Sequence, residues 1–132
     1  MPSVEVVFYR EDDETVPLLA WLDQLPAKVQ DKCRAQIERL KAQGHELRRP
    51  AADYLEEGIY ELRVRWQSVN YRMLYFFHGR VAAVLSHGLT KERRVPPREI
   101  AQAKARKQKF EEHPDVHTYK EDNRGRAQAP HH

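Results

Sequence analysis

Arginines at alternate positions of a short apolar segment are the residues of this sequence best suited to chemistry. Arg63 and Arg65 are two residues apart in the segment 59–66, IYELRVRW. If that segment is a strand, both side chains lie on one face of it. Arg72 opens the next apolar segment, so an antiparallel hairpin would place it near the other two. Guanidinium groups grip phosphate or carboxylate oxygens at two points, which predicts an anionic ligand, either a phosphodiester or an acidic protein segment.

Glu61 is the one acidic residue close in sequence to these arginines. Burying unpaired guanidinium groups against apolar neighbours such as Leu74 and Phe76 would be costly. We therefore expect an anion from outside the chain to meet this face. The alternative is that the arginines are exposed or ion-paired and contact no ligand.

Basic residues also accumulate further along the chain. Residues 58–110 carry 12 Lys+Arg and 3 Asp+Glu, a net charge of +9, against −4 for residues 1–57 and −2 for residues 111–132. This uneven distribution of charge along the chain favours a polyanionic partner, most simply nucleic acid. The alternative is a solvated basic surface without a ligand. Four of these basic residues are further candidates for the site: Lys91, Arg93, Arg94 and Lys104.

The sequence lacks the residue patterns that are typical of other common catalytic and metal sites. No Ser-His-Asp, Cys-His or paired-carboxylate arrangement is visible, which argues against a protein nucleophile or a glycosidase-like acid pair. No Cys/His cluster has zinc-finger spacing, so we expect neither a metal nor a cofactor. His87 is a weaker candidate for a role in the site. Cys33 lies in the middle of an apolar helical stripe, which predicts a buried packing residue.

The hydrophobic pattern predicts an α+β fold. Residues 45–57 read as an irregular connection, Asn70 and residues 78–80 read as turns, and short turns between successive strands imply an antiparallel meander. A basic helix predicted at residues 98–112 is poor in large apolar residues, so it is either weakly docked or faces an anion. The predicted elements are a strand at 4–9, helices at 18–25 and 26–44, strands at 59–66, 71–77 and 81–85, and the basic helix at 98–112.

The size of the chain, 132 residues, predicts one domain over residues 1–112. Residues 113–132 offer almost nothing to bury and are predicted to be a disordered tail. No apolar run is long enough for a signal peptide or a membrane span. The single cysteine fits a reducing compartment, so we expect a cytoplasmic protein with no membrane partner.

Four segments in this order resemble the RelE/ParE toxin superfamily, and most of all its HigB-like, phage-derived branch. That branch shows an LxELR strand, a YRxLYF strand, a strand end of the form hGFxKK and a PxxEIxxA helix. The resemblance spans about residues 4–110. The corresponding segments here are GIYELR (58–63), YRMLYF (71–76), HGLTK (87–91) and PPREIAQA (96–103).

The resemblance implies a RelE-like fold, in which an N-terminal strand and a helical hairpin pack on a mostly antiparallel sheet with a concave basic face opposite. It also implies a toxin of a type II toxin–antitoxin pair, neutralised by a helix-turn-helix, HigA-like antitoxin. Such toxins inhibit translation as metal-independent endoribonucleases. They cut mRNA in the ribosomal A site, next to ribosomal RNA, by attack of the RNA's own 2′-hydroxyl on the adjacent phosphate.

Motif matching implies roles for individual residues. Arg63 and Arg72 correspond to groups that grip the scissile phosphate, with Arg65 assisting, and Lys91 corresponds to a basic position near the leaving oxygen or the general base. A lysine crowded by arginines would have a lowered pKa, which suits proton transfer near neutral pH. Some members carry a C-terminal tyrosine that contacts RNA, but here only Tyr119 follows the last predicted strand, so that role is unassigned.

Two other functions fit the same sequence. One is a ParE-like inhibitor that binds DNA gyrase without cutting RNA, against which the retained Arg72 and Lys91 argue. The other is a non-toxic nucleic-acid-binding remnant of a decayed locus, which would bind RNA with strong salt dependence and leave growth unaffected.

Overall fold

The computed structural model describes residues 3–80, 82–90 and 93–121 of the chain. Six strands form one sheet in the order β2-β3-β4-β5-β1-β6. The elements are β1 (Glu5–Tyr9), α1 (Pro17–Leu22), α2 (Ala27–Gln43), a 3₁₀ turn (Gly44–Glu46), β2 (Ala52–Glu56), β3 (Ile59–Trp66), β4 (Val69–His78), β5 (Ala82–Thr90), α3 (Pro97–Glu112) and β6 (Thr118–Tyr119).

The sheet is mostly antiparallel, which confirms the predicted α+β class and is compatible with a RelE-like fold. Strands β2 to β5 form a meander, and β6 pairs antiparallel with β1. Within the described residues, β1 and β5 form the one parallel pair. It needs a long crossover, which here contains α1, α2 and strands β2 to β4.

One face of the sheet packs against α1 and α2. Leu62, Val64 and Met73 are buried on that face, together with Leu18 of α1 and Cys33 of α2. The alternation of apolar residues in β3 therefore predicted the correct face. Burial raises the pKa of the Cys33 thiol to about 12, so this side chain packs as a small apolar group.

Gly88 of β5 lets Trp21 of α1 lie directly on the sheet. The indole Nε1 of Trp21 donates a hydrogen bond of 3.0 Å to the hydroxyl of Thr90. A methyl group on Gly88 would overlap the six-membered ring of Trp21. The glycine in the segment HGLTK is thus required by close packing and not by an unusual backbone conformation.

We expect Gly88→Ala to lower the free energy of unfolding by about 3 kcal/mol, the upper part of the range for overpacking, because the hydrogen bond to Thr90 limits how far Trp21 can move. Gly79 has a φ of 62° and open space around its Cβ position. Gly79→Ala should therefore cost only about 1 kcal/mol through backbone strain. Urea unfolding of both variants checks this, and equal losses would contradict the overlap.

The opposite face carries a second, smaller core under α3. Ile59, Leu74 and Phe76 pack there against Ala103 and Phe110. The sequence left open whether this basic helix is weakly docked or faces an anion. In the structure it is docked, because the small Ala103 allows a close approach and Phe110 fills the space beside Phe76, at a ring-centroid distance of 5.9 Å.

Three loop predictions differ from the structure. Residues 45–57 are not wholly irregular, since they contain the 3₁₀ turn and β2. The β3–β4 turn lies at Gln67 and Ser68, with φ values of 50° and 66°, and not at Asn70. Two residues of positive φ match the right-handed twist of a tight hairpin. The third predicted strand, 81–85, extends through Thr90 as β5, and Val81 lies outside the described residues.

The disordered-tail prediction is wrong for residues 113–121. Tyr119 pairs with Phe8, and Thr118 pairs with Tyr9. The His117 ring stacks on Tyr9 at a centroid distance of 5.0 Å. Burial raises the pKa of Tyr119. This tyrosine lies in the edge strand next to β1, far across the sheet from β3. The remainder of the predicted tail, 122–132, lies outside the described residues.

Candidate nucleic-acid site

A buried glutamate holds two of the predicted site arginines together. Arg63 of β3 lies directly opposite Arg72 of β4 in the antiparallel register. Glu61 shares their face and is only 2 % exposed. Its carboxylate accepts hydrogen bonds from Arg63 Nε at 3.0 Å, Arg63 Nη2 at 2.8 Å and Arg72 Nη1 at 3.1 Å. The hairpin thus brings the two guanidinium groups to one place, as their spacing predicted.

Asp53 of β2 adds a second carboxylate, 3.2 Å from Nη2 of Arg63. Two carboxylates therefore balance two guanidinium groups within the chain. The premise that Arg63 and Arg72 lack counter-charges was wrong, because Glu61 and Asp53 supply them. That an anion from outside the chain meets this face stays a prediction. Glu61 is recognisable as a neighbour from the sequence, but Asp53 is not, since it reaches Arg63 only because β2 pairs with β3.

The same arginines line a cavity of about 400 Å³ at the open edge of β3. We call it the arginine cavity. Among the described residues, its lining includes four arginines and two amide residues and no carboxylate: Gln36, Arg39, Arg63, Arg65, Asn70 and Arg72. Of the four arginines, only Arg63 and Arg72 form salt bridges within the described part of the chain. Arg39 was not among the predicted site residues, because it is an exposed residue of α2 that belongs to no local motif.

The ion pairs leave part of each guanidinium group available. Nη1 of Arg63 donates to no acceptor among the described residues, while Nε and Nη2 bind Glu61 and Asp53. Nη2 of Arg72 donates to the carbonyl of Arg93 at 2.9 Å. Glu61 therefore fixes the orientation of both planar groups. Arginines held in this way suit recognition of an oxyanion without rearrangement when it arrives.

The other predicted site residues divide into three cases. Arg93 and Arg94 are exposed in the loop before α3, and Arg93 touches the site through its carbonyl. Lys91 lies outside the described residues, so its predicted role stays a prediction. Lys104 of α3 contacts Glu56 at 2.5 Å and Glu57 at 3.4 Å, at the opposite end of β3 from Arg65. The structure does not bring Lys104 to the arginine cavity.

His87 lies in a polar network beneath α3. Its Nδ1 is 3.0 Å from Nη1 of Arg106 and 2.8 Å from the hydroxyl of Ser86. Because guanidinium only donates, Nδ1 is the acceptor, and Nε2 carries the proton that it donates to Glu99 at 2.9 Å. Arg106 also binds Glu11 at 2.7 Å. The network fastens α3 to β5, so His87 is a packing and clamping residue in this arrangement.

Burial lowers the pKa of His87, and the facing guanidinium of Arg106 lowers it further, while Glu99 and Glu11 act in the opposite direction. The unfolded state therefore binds more protons below the ordinary histidine pKa of about 6.5. We expect this contribution to stability to be present above that pH and to be lost as the pH falls towards the lower folded-state pKa.

Unfolding by urea at pH 7.5, 6.5 and 5.5 measures the effect. We expect His87→Gln to be less stable than the parent at pH 7.5 but to lose less stability on acidification. His113→Gln, which replaces an exposed histidine, is the control and should keep the parent's pH dependence. Parallel pH profiles for the parent and His87→Gln would contradict the assignment.

Metal binding finds no support in the described ranges. Within residues 3–80, 82–90 and 93–121, no three His, Cys, Asp or Glu side chains converge as a metal-ion site requires. In the same ranges, no helix is both long and apolar enough to cross a membrane.

The fold and the site together define a small α+β protein with fixed arginines beside a cavity, at one end of its sheet, whose described lining residues include no acid. A family model described as "Phage derived protein Gp49-like" matches residues 20–108, and the chain belongs to that family. The family is associated with the toxins of toxin–antitoxin systems, so the resemblance read from the sequence is confirmed at that level. A search of the curated proteins finds no match to the chain.

Proposed function

We propose that this protein is the toxin of a type II toxin–antitoxin pair and cuts mRNA on the translating ribosome. The observation that carries the proposal is the pair Arg63 and Arg72, which Glu61 fixes and which lines a cavity with no carboxylate in the part of the chain that the structure describes. The membership of a toxin-associated family supports the same conclusion. The ribosome would position the message in the A site, where ribosomal RNA is the neighbour, and the protein would act in the cytoplasm.

The proposed reaction needs charge stabilisation more than a protein nucleophile. The 2′-oxygen of the RNA loses its proton and attacks the adjacent phosphorus, while the bond from phosphorus to the 5′-oxygen breaks. The leaving oxygen takes up a proton, and the products are a 2′,3′-cyclic phosphate and a 5′-hydroxyl end. The free Nη1 of Arg63 and the remaining donors of Arg72 are the groups we assign to the phosphate oxygens, since negative charge accumulates there.

Lys91 is the residue we propose for proton transfer, on the strength of the motif HGLTK alone. A helix-turn-helix antitoxin of the HigA-like kind is the proposed protein partner. It would block toxicity by covering or distorting the basic face.

Brief induction of the protein followed by mapping of mRNA 5′ ends tests the proposal. We expect new ends within translated reading frames, and their loss when initiation is blocked. Arg63→Lys combined with Arg72→Lys keeps the charges beside Glu61 but removes the planar forks, so the ends should largely disappear. The control is Arg34→Ala, which removes an arginine that is ion-paired at 2.6 Å to Glu121, a residue that follows β6 at the opposite edge of the sheet from β2. An unchanged pattern of ends in the double variant would overturn the site.

The compensation of Arg63 and Arg72 by Glu61 and Asp53 favours a second candidate, a gyrase-directed inhibitor that cuts no RNA. In that case the arginine pair would be mainly structural. Induction would then cause DNA damage while mRNA stays intact, and the two readouts from one culture distinguish the candidates.

A further inference from the structure

Two of the arginines that line the arginine cavity have no counter-charge among the described residues. Arg39 of α2 and Arg65 of β3 are both exposed, and neither forms a salt bridge among the described residues. The one side-chain hydrogen bond of Arg39 in that part of the chain is a long contact of 3.3 Å to Oε1 of Gln36. Because Arg63 and Arg72 are balanced by carboxylates, Arg39 and Arg65 supply the net positive charge of the cavity.

Backbone groups at the end of β3 also contribute to the cavity. Strand β2 begins at Ala52, so the last residues of β3 extend beyond it. Gln36 closes part of this edge by donating to the carbonyl of Arg63 at 2.8 Å, and the N–H of Arg63 donates to the carbonyl of Ala51 at 2.8 Å. Alternate residues of a strand direct their N–H groups to the same edge, so Arg65 also presents a backbone donor there.

We infer that Arg39 and Arg65 bind a phosphodiester group of RNA, next to the phosphate assigned to Arg63 and Arg72. This inference rests on the proposed function for the neighbouring position but uses different residues. Four arginines and two amide residues, with no carboxylate among the described residues of the lining, suit a ligand of repeated negative charge. The volume, about 400 Å³, lies within the range of sites for small ligands. The phosphodiester belongs either to the message or to ribosomal RNA.

Binding of a fluorescent single-stranded DNA decamer tests the message arm, because the decamer lacks the 2′-hydroxyl and cannot be cut. We expect Arg39→Ala to weaken binding about tenfold at low salt. The slope of log K against log salt should fall in magnitude by about 0.7, the value for one phosphate contact on a single strand. Arg39→Lys should restore the slope, because it restores the charge.

The matched control is Lys32→Ala, which removes one positive charge from the same helix. Lys32 is exposed and lies seven residues before Arg39, about 10 Å away along the helix. We expect it to leave the salt slope unchanged. Since Arg39 is exposed, Arg39→Ala should unfold at the same urea concentration as the parent, which separates lost binding from lost structure.

Binding to ribosomes without message tests the other source. If Arg39→Ala binds the decamer more weakly than the parent, the phosphodiester is assigned to the message. If the variant binds only empty ribosomes more weakly, the phosphodiester is assigned to ribosomal RNA. Both results support the site. If Arg39→Ala binds both probes like the parent, the inference is overturned. It is also overturned if a glutamate decamer displaces the labelled decamer at a lower concentration than unlabelled DNA does, since that result would indicate an acidic protein segment as the ligand.

These results are independent of the cleavage assay. If mRNA is cut and Arg39→Ala binds like the parent, the inference fails and the proposed function stands. If no mRNA is cut but Arg39→Ala lowers the salt slope, the cavity binds nucleic acid and the proposed cleavage fails.

Discussion

Replacing Glu61 with alanine is expected to lower the free energy of unfolding by about 3 kcal/mol. Glu61 is almost fully buried and compensates Arg63 and Arg72, which lie opposite each other on neighbouring strands. Its removal leaves two guanidinium groups facing each other, with Asp53 in contact with Arg63 only. We choose the lower end of the range for breaking a buried ion pair because the Arg63 side chain keeps 36 % of its exposure.

Urea unfolding at pH 7.5 measures the loss. Glu56→Ala is the matched control, since it also removes a glutamate bound to a basic residue, Lys104, but at an exposed position. An exposed pair contributes less than about 1 kcal/mol, so this variant should stay close to the parent. Equal stability of Glu61→Ala and Glu56→Ala would mean that the arginine pair does not need its glutamate.

Local patterns were sufficient to predict most elements and the pairing at the site. The period-2 alternation in IYELRVRW placed Leu62 and Val64 on the core face and Arg63 on the other. A short hairpin then required Arg72 to lie near Arg63, and the register places them directly opposite each other. The apolar stripe of α2 likewise predicted that Cys33 is buried.

Non-local pairing accounts for what the sequence could not predict. Strand β2 reads ADYLE, with acidic residues three positions apart, which does not follow the alternation of a strand with one apolar face, and its extended form depends on β3. Strand β6 has two residues and exists because β1 offers an edge. The contact of Asp53 with Arg63 could not be predicted without β2, and the sequence therefore indicated too little counter-charge for the arginines.

The docking of α3 was uncertain for a related reason. Its buried residues are Ala103, Arg106 and Phe110, a set with little apolar area. Arg106 can be buried only because Glu11, 95 residues earlier in the chain, binds its Nη2. Charge counts along the sequence treat Arg106 as free surface charge, whereas the fold uses it to attach a helix to the sheet.

Arg72→Ala is expected to reduce the rate of mRNA cleavage in a translation extract by about 100-fold, under the proposed function. Loss of one preorganised donor to a developing oxyanion typically has an effect of this size. The fold should survive because Arg63 still compensates Glu61 through Nε and Nη2. Oε1 of Glu61 loses its partner, however, so we expect a loss of stability of about 1–3 kcal/mol.

Arg72→Lys separates catalysis from stability. A lysine restores a cation near Glu61 and should recover most of the stability, but it lacks the planar fork that reaches both Glu61 and the carbonyl of Arg93. We therefore expect Arg72→Lys to be folded and still slow. Arg80→Ala, at an exposed turn after β4, is the control and should cut at the parent's rate. If cleavage instead follows stability across these variants, Arg72 is a structural residue and the phosphate is held elsewhere.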